Sequence, residues 1–334
     1  MSELPELLPT TGENLAGTDT GREHLSHSAL ATFLACPQKY GFSYEQRLEP
    51  IRKPEPLTLG KAYQLAIEHG DPAAGARSLR EEADIQSQAD EDKLQTQEAI
   101  VTAAASLYLA TWPPEADLAT NAMREFPYRV RLRNPYTGYL SRTFDLLGYA
   151  DEIRFQAGSW LLVENKLVGQ ISEMQVRRLP LDRQVALEAY GVWRATGHPV
   201  TRVSYRFVRK PSIRQRSGET VAEFCERLTQ DYVERPAFYA HEETWLRDTE
   251  DLVRIELELW EWAEMLRSQR RMPAWTRNTA HCTDYGGCPF IPLCLGERAE
   301  GLYRERATRH DAESDLATSA VMPSDGLLTV LDRG

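Results

Sequence analysis

No stretch of the sequence approaches the roughly 18 consecutive apolar residues that a membrane span requires. The opening segment, MSELPELLPTTGENLAGTDT, lacks both a basic start and an apolar core, so it does not read as a secretory signal. A cytoplasmic location, with no membrane partner, is therefore the default expectation. Internal repeats are absent. The five cysteines are few and odd in number, which argues against a disulfide framework and makes metal or cluster ligation worth testing. A net basic charge is also lacking: the 334 residues carry −11 overall. That charge is uneven, however, because residues 124–216 hold 17 Lys and Arg against 8 Asp and Glu, a local +9. A basic middle between acidic arms suits a polyanion site, and equally suits helices with solvated acidic faces. At 42% hydrophobic and 27% charged residues, the composition is that of a soluble globular chain.

Residues 1–24 and 307–334 show no periodicity and read as a flexible leader and tail around a body at 25–306. Ser26 or Ser28 caps a predicted helix carrying Leu30, Phe33 and Leu34, stopped by Pro37. Residues 60–70 and 78–111 read as helical, and 70–120 as a helical insertion. The pattern then changes to period two. Strands are predicted at Phe126–Leu132 and Arg142–Tyr149, and a hairpin from Ile153–Gln156 through a turn at Ala157-Gly158 to Trp160–Leu167. A helix over 181–196 and a strand at Arg202–Arg209 follow. Beyond them the chain reads as mostly helical, with an acidic amphipathic stretch at Leu252–Leu266. Strands in the middle and helices on both sides predict an α/β or α+β fold with a mixed sheet covered by helices.

The informative stretch is Gly148-Tyr-Ala-Asp151 followed by Glu164-Asn-Lys166. Glu164 and Lys166 lie two apart on a strand and so share a face, while Asp151, expected just after the preceding strand, would be brought beside them by the hairpin. Charges in an otherwise apolar strand (WLLV, then LV) are paired, hold a metal, or cost several kcal/mol. Two convergent carboxylates suit Mg²⁺ or Mn²⁺, which activate water and neutralise phosphate charge. A strand-end salt bridge is the plainer reading of the same three residues.

Cys282, Cys288 and Cys294 are each separated by five residues in a Gly- and Pro-broken loop at 280–296, and Cys36 stands far upstream. Four thiolates can hold a [4Fe–4S] cluster or a structural zinc, although the close Cys pair usual at zinc sites is missing. Cys225 reads as a free helical cysteine. Arg129, Arg131 and Arg133 alternate along one strand, Arg177, Arg178 and Arg183 flank the start of the 181–196 helix, and Arg209 belongs to the basic run YRFVRKPSIRQR. Such clusters suit backbone phosphates, or they discourage pairing at solvated strand edges.

Taken in order, these motifs resemble the PD-(D/E)XK nuclease superfamily, and more closely its RecB-like branch. The resemblance runs from Leu25 to about Glu300. It begins with LSHSALATFLACPQKYGFSY, similar to a Ser-x-Leu-x-x-Phe-x-x-Cys-Pro-x-x-Tyr opening, and continues through Gly60-Lys-Ala-Tyr-Gln64, Asp151, Glu164-Asn-Lys166 and Gln184 to the cysteines. It implies that Asp151 and Glu164 hold the metal, that Lys166 is the catalytic lysine, and that Gln184 positions the lysine or DNA. Two departures stand out. Gln64 occupies a position where many relatives have a metal-binding His, and as a metal ligand it can still donate an oxygen to Mg²⁺ while suiting Mn²⁺ less well than imidazole. Glu188 stands where a Tyr usually follows the glutamine, Tyr190 being the nearest substitute. The one-plus-three cysteines resemble those of cluster-bearing members, in which the cluster joins the two chain ends. The implied activity is metal-dependent hydrolysis of DNA, as an exonuclease on single-stranded ends in recombination, repair or processing, with recombination or helicase proteins as candidate partners. The alternatives are a DNA-binding protein that keeps fold and cluster without cleavage, and a metalloenzyme or redox protein with a functional cluster.

Overall fold

The structure, a computed structural model, describes residues 12–51, 55–83, 85–113, 122–156 and 159–306. The first eleven residues of the expected leader, the expected tail and the Ala157-Gly158 turn lie outside the described residues. The remainder of the expected leader is docked rather than free. The backbone N–H of Glu13 donates to the Arg194 carbonyl and that of Leu15 to the Arg129 carbonyl, and β1 (Glu23–Leu25) pairs in parallel with the long strand described below.

Ser26 accepts from the Ala29 N–H and starts α1 (His27–Ala35); Pro37 opens the short α2 (Pro37–Tyr40). After β2 (Leu48–Pro50) come α3 (Glu55–Glu68), α4 (Pro72–Glu82) and α5 (Gln88–Thr111). The single helix expected over 78–111 is thus two, because Ser87 caps a new one. β3 (Ala122–Arg133) then pairs antiparallel with β4 (Leu140–Gln156). The two strands expected at 142–149 and 153–156 are one 17-residue strand, so Asp151 lies within β4 and not after it. β5 (Ser159–Val168) leads through α6 (Glu173–Arg178) and α7 (Arg183–Thr196) to β6 (Val200–Arg209), parallel to β5. Then follow α8 (Val221–Glu234), α9 (Pro236–Tyr239), β7 (Ala240–Leu246), α10 (Thr249–Arg270), α11 (Ile291–Leu295) and β8 (Tyr303–Glu305). β7 interrupts the region expected to be helical; most of its residues are exposed or half-buried, so no apolar alternation marks it.

The sheet is mixed, in the order β1-β4-β5-β6-β7, with β3 on the other side of β4. One face packs on α1, α7 and α10 through residues such as Leu146, Leu162, Val185 and Leu259. Helices α3, α4, α5 and α8 form a second core through Tyr63, Leu79, Val101 and Leu228, which reaches β6 at Val208. This is the helix-covered mixed sheet expected from the sequence. The approach of α7 to the sheet is close because the Tyr128 ring lies between two glycines. A Cβ on Gly148 would come 2.3 Å from the Tyr128 hydroxyl, and one on Gly191 2.3 Å from its Cε2. Separately, β2 and β8 pair antiparallel and join the early and late parts of the chain beside the cysteine loop.

Candidate active site

β4 and β5 are hydrogen-bonded from Gln156 and Ser159 as far as Glu152 and Val163, and then part. Asp151 and Glu164 are the first residues beyond the last pair. Beyond this point the backbone N–H of Asn165 donates instead to the Asp151 carboxylate, at 3.0 Å. Meanwhile Glu164, Asn165 and Lys166 remain held on their other side by Tyr205, Arg206 and Phe207 of β6. The sequence places charged residues on a rigid strand at the point where one neighbour leaves, which is how a fixed yet accessible site is made.

Glu164 and Lys166 meet as expected for residues two apart, with Nζ 2.8 Å from Oε1. Lys166 also donates to Gln184 Oε1 at 3.3 Å and lies 3.6 Å from Asp182, whose carboxylate caps α7 by accepting from the Gln184 N–H. Gln184 Nε2 donates to Glu164 Oε1 and to Glu188 Oε1, both at 3.0 Å. Glu164 Oε2 and Glu188 Oε2 are buried without a hydrogen-bond partner. Burial alone would depress the Lys166 ammonium, but the Glu164 and Asp182 carboxylates outweigh it and hold it above its ordinary value. Lys166 is therefore cationic at neutral pH.

The carboxylates behave in the opposite way. Burial, reinforced by the charge of Glu164, pushes Asp151 well above the usual range, against the pull of the Asn165 N–H. Glu188 is raised for the same reasons, burial first and then Glu164 and Asp151. Glu125 is pushed up to about 8 by burial and by neighbouring Glu68. Gln64 Nε2 donates to Glu125 at 3.3 Å, and both line a shallow, open cleft with Glu68, Asp151 and Asn165. Arg124 and Glu125 of β3 and Asp151 and Glu152 of β4 all border this cleft, and the pairing of the two strands skips Glu125 and Asp151 there. Glu125, with φ of +48°, is where β3 breaks the alternation.

Among the described residues no group of three or more His, Cys, Asp or Glu side chains is arranged so that it could hold a metal ion as it stands. The donor set nevertheless fits a hard divalent cation. Two carboxylates have orphaned buried oxygens, a third, Asp151, is raised by burial and by Glu164, and all the donors are oxygens. The cysteines are gathered too. Burial pushes the Cys294 thiol up, and Cys288, Cys36 and Cys282 add to the effect against Arg277. The Asn278 N–H donates to Cys36 Sγ at 3.4 Å, and the Cys288 N–H to the Cys282 carbonyl at 2.7 Å. All four thiols are free and half-buried.

Several candidate DNA contacts are placed elsewhere. Arg129 is spent on the docked leader: its guanidinium donates to Asp145, to Thr20 Oγ1 and to the Thr18 and Arg22 carbonyls. Arg131 donates to the Ser141 carbonyl, and Arg133 is buried against Glu256. Tyr190 is fully buried, and its hydroxyl donates to Glu256 Oε1 on α10 at 2.9 Å. It lies two residues from Glu188, hence about 200° around α7, and faces away from Lys166. Arg209 stacks on Phe238 and Arg183 on Trp262, each 4.9 Å from the ring centroid. Arg177 and Arg178 are exposed in the last turn of α6. Sequence reasoning missed Glu68, Glu125 and Asp182 and treated Glu188 only as a departure. The available signal was its spacing of one helical turn from Gln184.

The description that matches the chain is that of the PD-(D/E)XK nuclease superfamily, over residues 24–295. A search of curated proteins returned no match. Among solved structures, the chain is similar to a candidate exonuclease of Eubacterium rectale, at 13% identity and TM-score 0.47, covering 87% of this chain and 92% of that one. It is also similar to a phage-related exonuclease from Haemophilus somnus, at 10% identity and TM-score 0.27, covering 59% of this chain and 84% of that one. Likenesses this distant leave the assignment to the family match, which spans most of the sequence together with the strands and helix that carry Asp151, Glu164, Lys166 and Gln184. The chain belongs to the PD-(D/E)XK nuclease superfamily.

Proposed function

We propose that the protein is a metal-dependent deoxyribonuclease of the RecB-like branch, acting as an exonuclease on single-stranded DNA ends. The observation that carries this reading is the meeting of Glu164, Lys166 and Gln184 where β4 and β5 part at Asp151. Asp151 and Glu164 would hold Mg²⁺ or Mn²⁺, with Gln64 bordering the same cleft. Such a cation, when bound, supplies Lewis acidity toward a phosphate oxygen and lowers the pKa of a water.

The chain's own groups do the rest. The Asn165 N–H fixes the Asp151 carboxylate, and Gln184 fixes Glu164 and Lys166 relative to each other. Lys166, held cationic, is placed to orient the attacking water or to neutralise charge developing on the phosphate. Arg177 and Arg178 on α6 and Arg183 at the start of α7 are exposed basic side chains that would meet the DNA backbone. The four cysteines would hold a [4Fe–4S] cluster that joins α1 to the late loop, in support of the fold and not of the chemistry.

The test is anaerobic purification followed by digestion of 5′- and 3′-labelled single strands with Mg²⁺ or Mn²⁺, beside Lys166→Ala. Metal-dependent digestion lost in the variant supports the reading and reveals polarity; iron and acid-labile sulfide per chain test the cluster, with zinc as the opposing outcome. A second reading, a DNA-binding protein without cleavage, is favoured by one contact: the Gln64 amide is engaged with Glu125. A folded, cluster-loaded parent that binds DNA but cuts none would establish it.

A further inference from the structure

We propose that Glu188 is a third carboxylate ligand of the divalent cation held by Asp151 and Glu164; this deepens the nuclease reading and rests on it. Glu188 lies on α7, one turn beyond Gln184, among Leu187, Ala189 and Tyr190, and is 4% exposed. A glutamate that deep needs a partner for each oxygen, or it costs several kcal/mol. It has a partner for one. Gln184 Nε2 donates at 3.0 Å to Oε1 of Glu188 and at 3.0 Å to Oε1 of Glu164, so a single amide bridges the two carboxylates. The second oxygen of each is buried with no partner. Among the described residues no lysine or arginine forms an ion pair with Glu188, and the carboxylates that act on it most strongly are Glu164 and then Asp151. Lys166 is engaged by Glu164 and Asp182.

Three carboxylates on a strand, its neighbour and a covering helix, with two orphaned oxygens, form the anionic oxygen set that a hard cation completes. A purely structural role explains the arrangement less well. A glutamine at 188 would accept the same hydrogen bond from Gln184 Nε2 through its own Oε1, without adding a like charge beside Glu164.

The experiment measures Mn²⁺ affinity by calorimetry on the full chain without DNA, together with melting temperature with and without Mg²⁺. The proteins are the parent, Asp151→Asn, Glu188→Gln and Glu188→Met. The expected result is that both Glu188 variants weaken Mn²⁺ binding about ten-fold or more. They should also shrink the Mg²⁺-induced rise in melting temperature, while melting at or above the parent without metal. Parent-like Mn²⁺ affinity in the Glu188 variants, with binding lost in Asp151→Asn, overturns this inference and leaves the nuclease reading intact. A parent that binds no Mn²⁺, or Asp151→Asn that binds as the parent does, overturns the metal-dependent reading itself. Failure of both Glu188 variants to fold would mark the carboxylate as a structural group and overturn the inference as well.

Discussion

Asp145 and Asp151 sit six residues apart on β4, the first fully buried and the second half-buried at the cleft, and their surroundings are opposite. Asp145 is fully buried and fully answered: Arg22 and Arg129 pair with it at 2.7 and 2.9 Å, and the Thr20 hydroxyl donates to it at 2.7 Å. Glu152, next to Asp151, is likewise surrounded by Arg124, Arg154 and Arg206. Asp151 instead receives one backbone N–H and shares its region with Glu164, Glu188 and Glu125, against a single lysine. Where charges balance, the carboxylate holds chain segments together, in this case the segment at 12–25 and β3. Where they do not, the imbalance itself describes the missing ligand. A buried charge is read by its neighbours' summed charge rather than by its depth.

The largest expected effect breaks the balanced side. Asp145→Ala leaves the half-buried Arg22 and Arg129 without their carboxylate and loosens the early segment, and should cost about 3 kcal/mol in urea unfolding. Asp151→Asn, six residues on, keeps an acceptor for the Asn165 N–H and removes a repelled charge. Without divalent metal it should melt no lower than the parent at pH 8. If both substitutions destabilise alike, the contrast between the two carboxylates is wrong. Next comes Lys166→Ala, which removes the cation paired with Glu164. It should lower metal-dependent cleavage by about 10²–10³-fold, while the far-ultraviolet spectrum stays that of the parent.

Gly191→Ala sharpens the comparison from a third direction, because α7 carries Gln184 and Glu188 to the site and its distance from the sheet is set by Tyr128. The added methyl would lie 2.3 Å from the ring, so the variant should lose about 1–3 kcal/mol. Activity should fall further than stability alone explains.

What could be read from the sequence follows from which signals are local. Alternation identified β3, β5 and β6, and two-residue spacing placed Glu164 beside Lys166. Asp151 was found, although its strand was cut short, because Gly148-Tyr-Ala gave no reason to continue. β7 escaped because an edge strand with exposed residues on both faces has no apolar period. Glu68, Glu125 and Glu188 escaped for a different reason. A glutamate on a helix or beside a strand arginine reads as a solvated residue, and its burial is decided by elements far away in sequence. The arginines' partners were hidden in the same way: Arg129 and Arg133 do alternate, but Asp145 and Glu256, which pair with them, cannot be seen from β3.

The last effect is one of pH. Glu125 titrates at about 8 in the folded, metal-free protein, raised by burial and by Glu68, whereas in the unfolded chain a glutamate titrates near 4.3. Between those values the folded state holds the extra proton, so stability is full below about pH 4.3 and declines as pH rises toward 8. The slope from this one group is at most about 1.4 kcal/mol per pH unit. Glu125→Gln should flatten the decline in denaturant midpoint from pH 5 to 8. Saturating Mg²⁺ gives the sharper outcome, since Glu125 feels Glu164 as well as Glu68. If a cation neutralises the Asp151–Glu164 side, the parent's decline should shrink in Mg²⁺ while the Glu125→Gln profile changes little. A decline untouched by both the substitution and the metal would place the imbalance somewhere other than this cleft.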